Sequence, residues 1–255
     1  MDFLDWQAYL GHTFVHPGGR DLTEAMLARL RLSRKSRVLD LGCGTGATAL
    51  LIARQTGAYV VGLERASAML REATARRQRA PKRLFDLVQA DAGRMLPFRD
   101  RTFDAIYAES VVALLDAELV IAECVRALKP GCTLALVERI WKPGVSRALA
   151  AKVNAVSRRA FGIPAATPEP WAREDWLALL SRVGLVQRQA LAVDALLPRQ
   201  RASEPLALRL RRLSRYLLRP TLVWRAVVYR RAMQRHATLF THLDSYLFVA
   251  RKPES

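Results

Sequence analysis

The stretch that decides the fold is VLDLGCGTG, residues 38–46. Val38 to Leu41 form a short apolar run of the kind that makes a buried strand, and Gly42, Gly44 and Gly46 follow it directly. The next segment, from residue 45 to about 55, reads as a helix. Glycines between a strand and a helix let the backbone approach a ligand closely, and they aim the helix N-terminus at an anionic group. This is a nucleotide-type cofactor loop. Gly44, Gly46 and Ala49 also satisfy the G-x-G-x-x-A spacing of nicotinamide dinucleotide sites. Asp40 separates the two readings, because a carboxylate at the strand tip would repel a pyrophosphate but tolerates a cofactor bearing an amino group and a positive centre.

Working outward, strand and helix patterns alternate. Strands are expected near 37–41, 58–63, 84–90, 102–107 and 132–138, with helices near 45–55, 66–79, 114–128 and 172–182. Asp21 caps an earlier helix with Leu22, Met26, Leu27 and Leu30 on one face. Alternation of this kind predicts an α/β fold with a doubly wound parallel sheet. LKPGC (128–132) stops a helix before the fifth strand. FGIPAATPEPW (161–171) reads as a proline-broken loop or lid hinge, and LVQRQALAV (185–193) as a sixth strand. Between that strand and a last one, SYLFVARK (245–252), lies room for two helices. Leu206, Leu210, Leu213 and Leu217 make one apolar stripe, and Leu222, Ala226, Tyr229 and Met233 make another.

The chain has 255 residues, 51% of them apolar, enough to bury a real core and to exclude a disordered protein. Its 41 Lys+Arg against 23 Asp+Glu leave a formal charge of +18. Half of that excess falls in residues 194–255, which suggests an acidic partner or surface, although arginine so outnumbers lysine that codon bias alone would give the skew. The three cysteines, Cys43, Cys124 and Cys132, form no CxxC pair and have no histidine at ligand spacing, so no metal site is indicated. Asp2 and Asp5 stand where a signal peptide needs positive charge, and no apolar run is long enough to span a bilayer. The expected setting is cytoplasmic.

VLDLGCGTG resembles the first motif of class I S-adenosylmethionine-dependent methyltransferases, and further stretches resemble that family in order. They are VVGLERASAML (60–70), LVQADAGRMLPFRDRTFDAIYAESVVALL (87–115), LKPGCTLALVE (128–138) and, more weakly, PEPW…DW…LL…GL (168–185). The resemblance covers residues 22–140 most firmly and is closest in type to the ubiquinone/menaquinone-biosynthesis group. It implies a Rossmann-like sheet of seven strands with the last antiparallel, an N-terminal lid segment at 1–20, and a core over 21–193. A basic helical insertion at 194–244 and a final strand and tail at 245–255 complete the expected division. It also implies S-adenosylmethionine as cofactor, with S-adenosylhomocysteine as product. Glu64 would accept from both ribose hydroxyls and Asp91 from the adenine amino group, while Ala92 would offer its backbone N–H. Asp40, Gly42, Cys43, Gly44, Gly46 and Arg65 complete the expected cofactor contacts, and Glu109 and Ser110 would open over the methionine part.

Methyl transfer from a sulfonium is an in-line displacement, so a general base is needed only when the acceptor carries a proton to lose. The fourth strand is followed by Tyr107-Ala108-Glu109-Ser110, not the (Asp/Asn)-Pro-Pro-(Tyr/Phe) of amine-methylating relatives, and no cysteine stands where a nucleophile for cytosine carbon 5 would. A small-molecule acceptor, apolar or anionic, is the expectation. Rivals are an RNA methyltransferase using the basic C-terminal helices, and a non-catalytic cofactor-fold protein on an anionic membrane or a partner. Weak candidates for catalysis are His12, His16, Glu109, Glu138 and His242; Trp141 and the 161–171 loop lie near the acceptor edge, and Trp171 and Trp176 read as packing residues. The protein is expected to be a monomer or homodimer.

Overall fold

A computed structural model describes residues 3–10, 16, 18–78, 80, 84–197, 213–214, 216 and 220–254. Its strands are β1 (Arg37–Leu41), β2 (Tyr59–Glu64), β3 (Phe85–Gln89), β4 (Phe103–Glu109), β5 (Leu128–Trp141), β6 (Val186–Ala192) and β7 (Leu243–Arg251). They form one sheet in the order β3-β2-β1-β4-β5-β7-β6. β1 to β5 are parallel, and β7 runs antiparallel to both β5 and β6. The seven-stranded sheet with an antiparallel last strand is the one expected. Strand order reverses between β1 and β4, so the crevice at the carboxyl ends of these two strands is where such a sheet binds ligands.

The described helices are α1 (Phe3–Leu10), α2 (Gly19–Leu30), α3 (Ala47–Thr56), α4 (Ser67–Arg77), α5 (Ala117–Ala127), α6 (Arg147–Phe161), α7 (Arg173–Arg182), α8 (Val193–Leu196), α9 (Pro220–Arg235) and α10 (Ala237–Phe240). Side chains alternate across each strand, and the central strands are buried on both faces while the edge strand β6 is largely exposed. Leu39, Leu41, Ile106, Leu134 and Leu136 pack with Val120, Ile121 and Cys124 of α5 and with Trp176 and Leu179 of α7. Val38, Val60, Tyr107, Ala135 and Val137 pack with Leu22 and Met26 of α2 and Ala49 and Ile52 of α3. Trp176 is fully buried and stacks on Phe248, with ring centroids 5.5 Å apart.

β5 begins earlier and ends later than the sequence suggested. Lys129-Pro130-Gly131 does end α5, but Leu128 already pairs with Phe103, and the register then shifts before Ala105 meets Thr133. Gly131 makes this bulge possible with φ +70, while its N–H donates to the carbonyls of Lys252 and Pro253. At the other end, pairing with β7 continues to Trp141↔Leu243 and carries β5 past the edge of β4. Of residues 114–116, expected at the start of α5, Leu114 ends a 3₁₀ turn (Val112–Leu114) and Asp116 caps α5 by accepting from the Leu119 N–H. The expected helix at 205–219 lies mostly outside the described residues. Among those residues no helix is long and apolar enough to cross a membrane.

Candidate functional site

A cavity of about 490 Å³ opens at the carboxyl ends of β1, β2, β4 and β5. Its floor is the glycine loop. The N–H groups of Gly42 and Cys43 both donate to the Leu63 carbonyl (2.8 and 2.9 Å), which fastens the loop to the end of β2. Gly42 has φ +72, and a Cβ there would lie 2.4 Å from Cγ2 of Val111. Gly44 also has a positive φ, +51, but a Cβ on it would meet nothing within 4 Å. The backbone is bare there, on the cavity side.

Gly46 departs from expectation. It does not line the cavity; its N–H donates to the Cys43 carbonyl at 2.8 Å, and its Cα faces Phe85 and Ala73. Its role is to turn the chain into α3 in a space too small for a side chain. Cys43 lines the cavity but is buried, and desolvation beside Asp40 and Glu64 pushes its thiol well above the ordinary range, so it is inert at neutral pH.

Acidic side chains surround this floor. Glu64, at the tip of β2, accepts from Gly44 N–H at 3.1 Å through Oε2, and from the N–H groups of Arg65 and Ala66 at 2.8 Å through Oε1. Asp91, beyond β3, accepts from Gly93 N–H at 2.9 Å, and Arg65, Asp91 and Ala92 all border the cavity. Asp40 lies beneath, 3% exposed; desolvation raises its pKa well above the usual carboxylate range, with Tyr107 the strongest opposing influence. Among the described residues, neither Asp40 Oδ2 nor the Tyr107 hydroxyl has a partner of hydrogen-bond geometry. These orphaned atoms make the pocket floor receptive to a polar or cationic ligand.

Glu109 ends β4 and is clasped from three directions. Its Oε1 accepts from Thr23 Oγ1 at 2.8 Å and lies 3.2 Å from His16 Nε2, while Oε2 accepts from Thr48 Oγ1 at 2.8 Å. The sequence reading missed Thr23 and Thr48. Thr23 carries a signal, since it shares the buried stripe of Met26, Leu27 and Leu30 on α2, where a polar residue calls for a partner. Ser110 follows with φ +60, unusual for a non-glycine residue, and its buried Oγ has no partner although the residue borders the cavity. Such strain is stored where function needs it.

Glu138 borders the cavity but is not available for acceptor contact as expected. It is 1% exposed, and its oxygens accept from the N–H groups of Val111, Val112 and Ala113 at 3.1, 2.8 and 3.3 Å. It caps the 3₁₀ turn and so holds Val111 against Gly42. Burial, only partly offset by these bonds, pushes its pKa up to about 7. His242 does not reach the cavity; its carbonyl accepts from Lys142 N–H as β7 begins. His12 lies outside the described residues. Trp141 does not border the cavity either, because it is wholly buried and its indole donates to the Thr167 carbonyl at 2.9 Å.

The opposite side of the cavity is apolar. Phe161, Ile163, Pro164, Met233 and Phe240 line it, together with Arg139, Ser157 and Gln7. Over them Trp6, Leu10, Phe161, Leu222 and Tyr229 form a separate cluster joining α1, the end of α6 and α9. Trp6 lies 5.1 Å from Tyr229, ring to ring, and its indole donates to the Leu222 carbonyl at 3.3 Å. The expected stripe of α9 therefore faces inward at Leu222 and Tyr229, whereas Met233 is half exposed at the cavity mouth.

Comparison with known proteins accords with this geometry. Residues 39–136 match the family described as Methyltransferase domain. The chain is 39% identical over 123 residues to Methyltransferase GfsG of Streptomyces halstedii, covering 47% of this chain and 44% of that protein. It is 38% identical over 134 residues to the trans-aconitate 2-methyltransferase of Paracidovorax citrulli, covering 52% and 49%. The chain thus spans about half the length of the curated relatives it matches. Among solved structures, Haemonchus contortus phosphoethanolamine N-methyltransferase 2 in complex with S-adenosyl-L-methionine superposes with a TM-score of 0.70 at 19% identity. The match covers 98% of this chain and 56% of that one, and at this identity it speaks for the fold. Residues 39–136, set in this seven-stranded sheet, are thus the part of the chain that matches a methyltransferase domain.

Proposed function

We propose that the protein transfers a methyl group from S-adenosylmethionine to a small apolar or anionic molecule. One observation carries the reading: a single cavity runs from the acidic strand tips of Glu64 and Asp91 to the apolar wall of Phe161 and Phe240. Glu64 keeps one lone pair, on Oε2, beyond its three backbone partners and suits a ribose hydroxyl, while Asp91 has one backbone partner and suits the adenine amino group, with Ala92 N–H toward the ring. The bare backbone at Gly44 lets the cofactor come close. Glu109 supplies negative potential for the cofactor's ammonium and sulfonium, and a cation placed over Asp40 would draw that buried carboxyl toward its charged form. When bound, the cofactor supplies an activated methyl group; the chain aligns the acceptor, excludes water under α1 and α9, and holds its carboxylates where positive charge lies. In this reading α1 and α9 cover the acceptor end, and residues 21–193 with the final strand form the core.

The name of one relative, a trans-aconitate 2-methyltransferase, favours an anionic acceptor. Calorimetric titration with S-adenosylhomocysteine, with NADH in parallel, tests the cofactor. Micromolar binding of the first alone is expected, and Glu64→Ala should weaken it at least tenfold, about 1.4 kcal/mol, as a charge-assisted hydrogen bond is lost. Binding of NADH instead, or an unchanged affinity in the variant, would sink the reading.

A further inference from the structure

Arg139 stands in β5 between Glu138 and Ile140, two positions past the point where Val137 pairs with Glu109 at the end of β4. Strand alternation sends it to the face opposite Glu138, so the adjacent Glu-Arg pair of the sequence does not neutralise itself. Arg139 borders the cavity, and among the described residues its guanidinium has neither an ion-pair nor a hydrogen-bond partner. Burial alone lowers its pKa, with no carboxylate acting to raise it. The acids nearby are engaged elsewhere: Glu138 by three amides, Glu109 by Thr23, Thr48 and His16, and Asp244 of β7 by Lys142 at 3.6 Å.

An arginine cannot relieve burial by giving up its proton, so a partly buried, unpartnered guanidinium gains from a ligand that completes it. Its fork matches a carboxylate or phosphate with two parallel hydrogen bonds. We propose that Arg139 anchors the anionic head of the methyl acceptor, a carboxylate or phosphate whose apolar body lies against Phe161, Ile163 and Phe240. This rests on the methyltransferase reading above and narrows its acceptor to an apolar oxyanion. Position separates this anchor from the cofactor's adenosine end: β5 lies three strands from the β2 that carries Glu64, about 14 Å across the sheet. The orphaned Ser110 Oγ and the apolar wall border the same cavity and give the acceptor a further donor and a dry surface.

The test is calorimetry on the full chain saturated with S-adenosylhomocysteine, using octanoate, octyl phosphate and octanamide as probes. One or both of the acids should bind at least tenfold more tightly than the amide, and which of them does identifies the head group. Arg139→Gln should lose that preference and Arg139→Lys should keep part of it, with S-adenosylhomocysteine affinity unchanged in both. Equal or absent binding of all three probes by the wild type overturns the proposal even if a variant fails to fold. A loss of S-adenosylhomocysteine affinity in Arg139→Gln with octanoate binding intact would assign the arginine to the cofactor's own carboxylate and also overturn it. Failure of S-adenosylhomocysteine to bind the wild type overturns the methyltransferase reading itself, and with it this proposal, and so is distinguishable from either result.

Discussion

The two ends of the cavity are built differently. At the glycine loop the walls are backbone and strand tips, tied by bonds between neighbouring strands such as Gly42 and Cys43 N–H to Leu63. At the apolar end the walls come from α1, the end of α6 and α9, which lie far apart in the chain and meet through rings; Trp6 and Leu222 are 216 residues apart. The first end is fixed by the parallel sheet and opens only when the sheet does. The second is held by a small cluster outside the two main cores, so it can open alone. A rigid donor end and a separable acceptor end suit an enzyme that keeps one cofactor geometry while molecules enter and leave.

The sharpest way to break this contrast lies within the loop itself. Gly42→Ala places a methyl group 2.4 Å from Val111 at a φ that L residues avoid. It should cost about 3–4 kcal/mol of global stability and abolish measurable S-adenosylhomocysteine binding. Gly44→Ala has open space around its new Cβ and should cost only about 1 kcal/mol, the penalty of its positive φ, while still weakening the cofactor that needs that space. Denaturant unfolding beside calorimetry separates the two. Equal stability losses in both variants would show that Val111 does not set the tightness of the loop.

The lid makes the complementary prediction. Trp6→Ala empties the centre of the Trp6, Leu222 and Tyr229 cluster and should take about 3 kcal/mol from lid closure. Amide exchange across Pro220–Arg235 should then quicken roughly a hundredfold while the amides of β1 and β4 keep their protection. A matching loss of protection in the sheet would mean that lid and core open as one unit.

The same division governs what the sequence revealed. Strand tips announce themselves because apolar runs, glycines and acids follow one another within a few residues, so the sequence alone points to Asp40, Gly44, Glu64, Asp91 and Glu109, which the fold brings to one cavity. Gly46 was legible as a glycine but not as a packing position, since only the tertiary fold brings Phe85 and Ala73 beneath it. Trp6, Tyr229 and Arg139 carry no period that names their partners. Arg139 does leave a trace, a charge near the end of an apolar strand, and the alternation of side chains puts it on the face opposite its neighbour Glu138.

Glu138 links both ends, because its carboxylate caps the turn that presses Val111 onto the glycine loop, and it sits on the strand that carries Arg139. Its pKa is raised from 4.5 to about 7 in the fold. The unfolded chain therefore gives up the proton first, the folded state binds more protons between these values, and stability falls as pH rises through that window. The cost is fully present above about pH 7 and disappears below about pH 4.5; between about pH 5.5 and about pH 7 it amounts to roughly 1.5 kcal/mol. Asp40, also raised by burial, adds to the slope in the same direction. Unfolding by urea at several pH values should show the wild type losing stability across this interval and Glu138→Gln losing less. If the variant keeps the full slope, the titrating group is Asp40, at the donor end, and the pH sensitivity belongs to the glycine loop rather than to the turn that braces it.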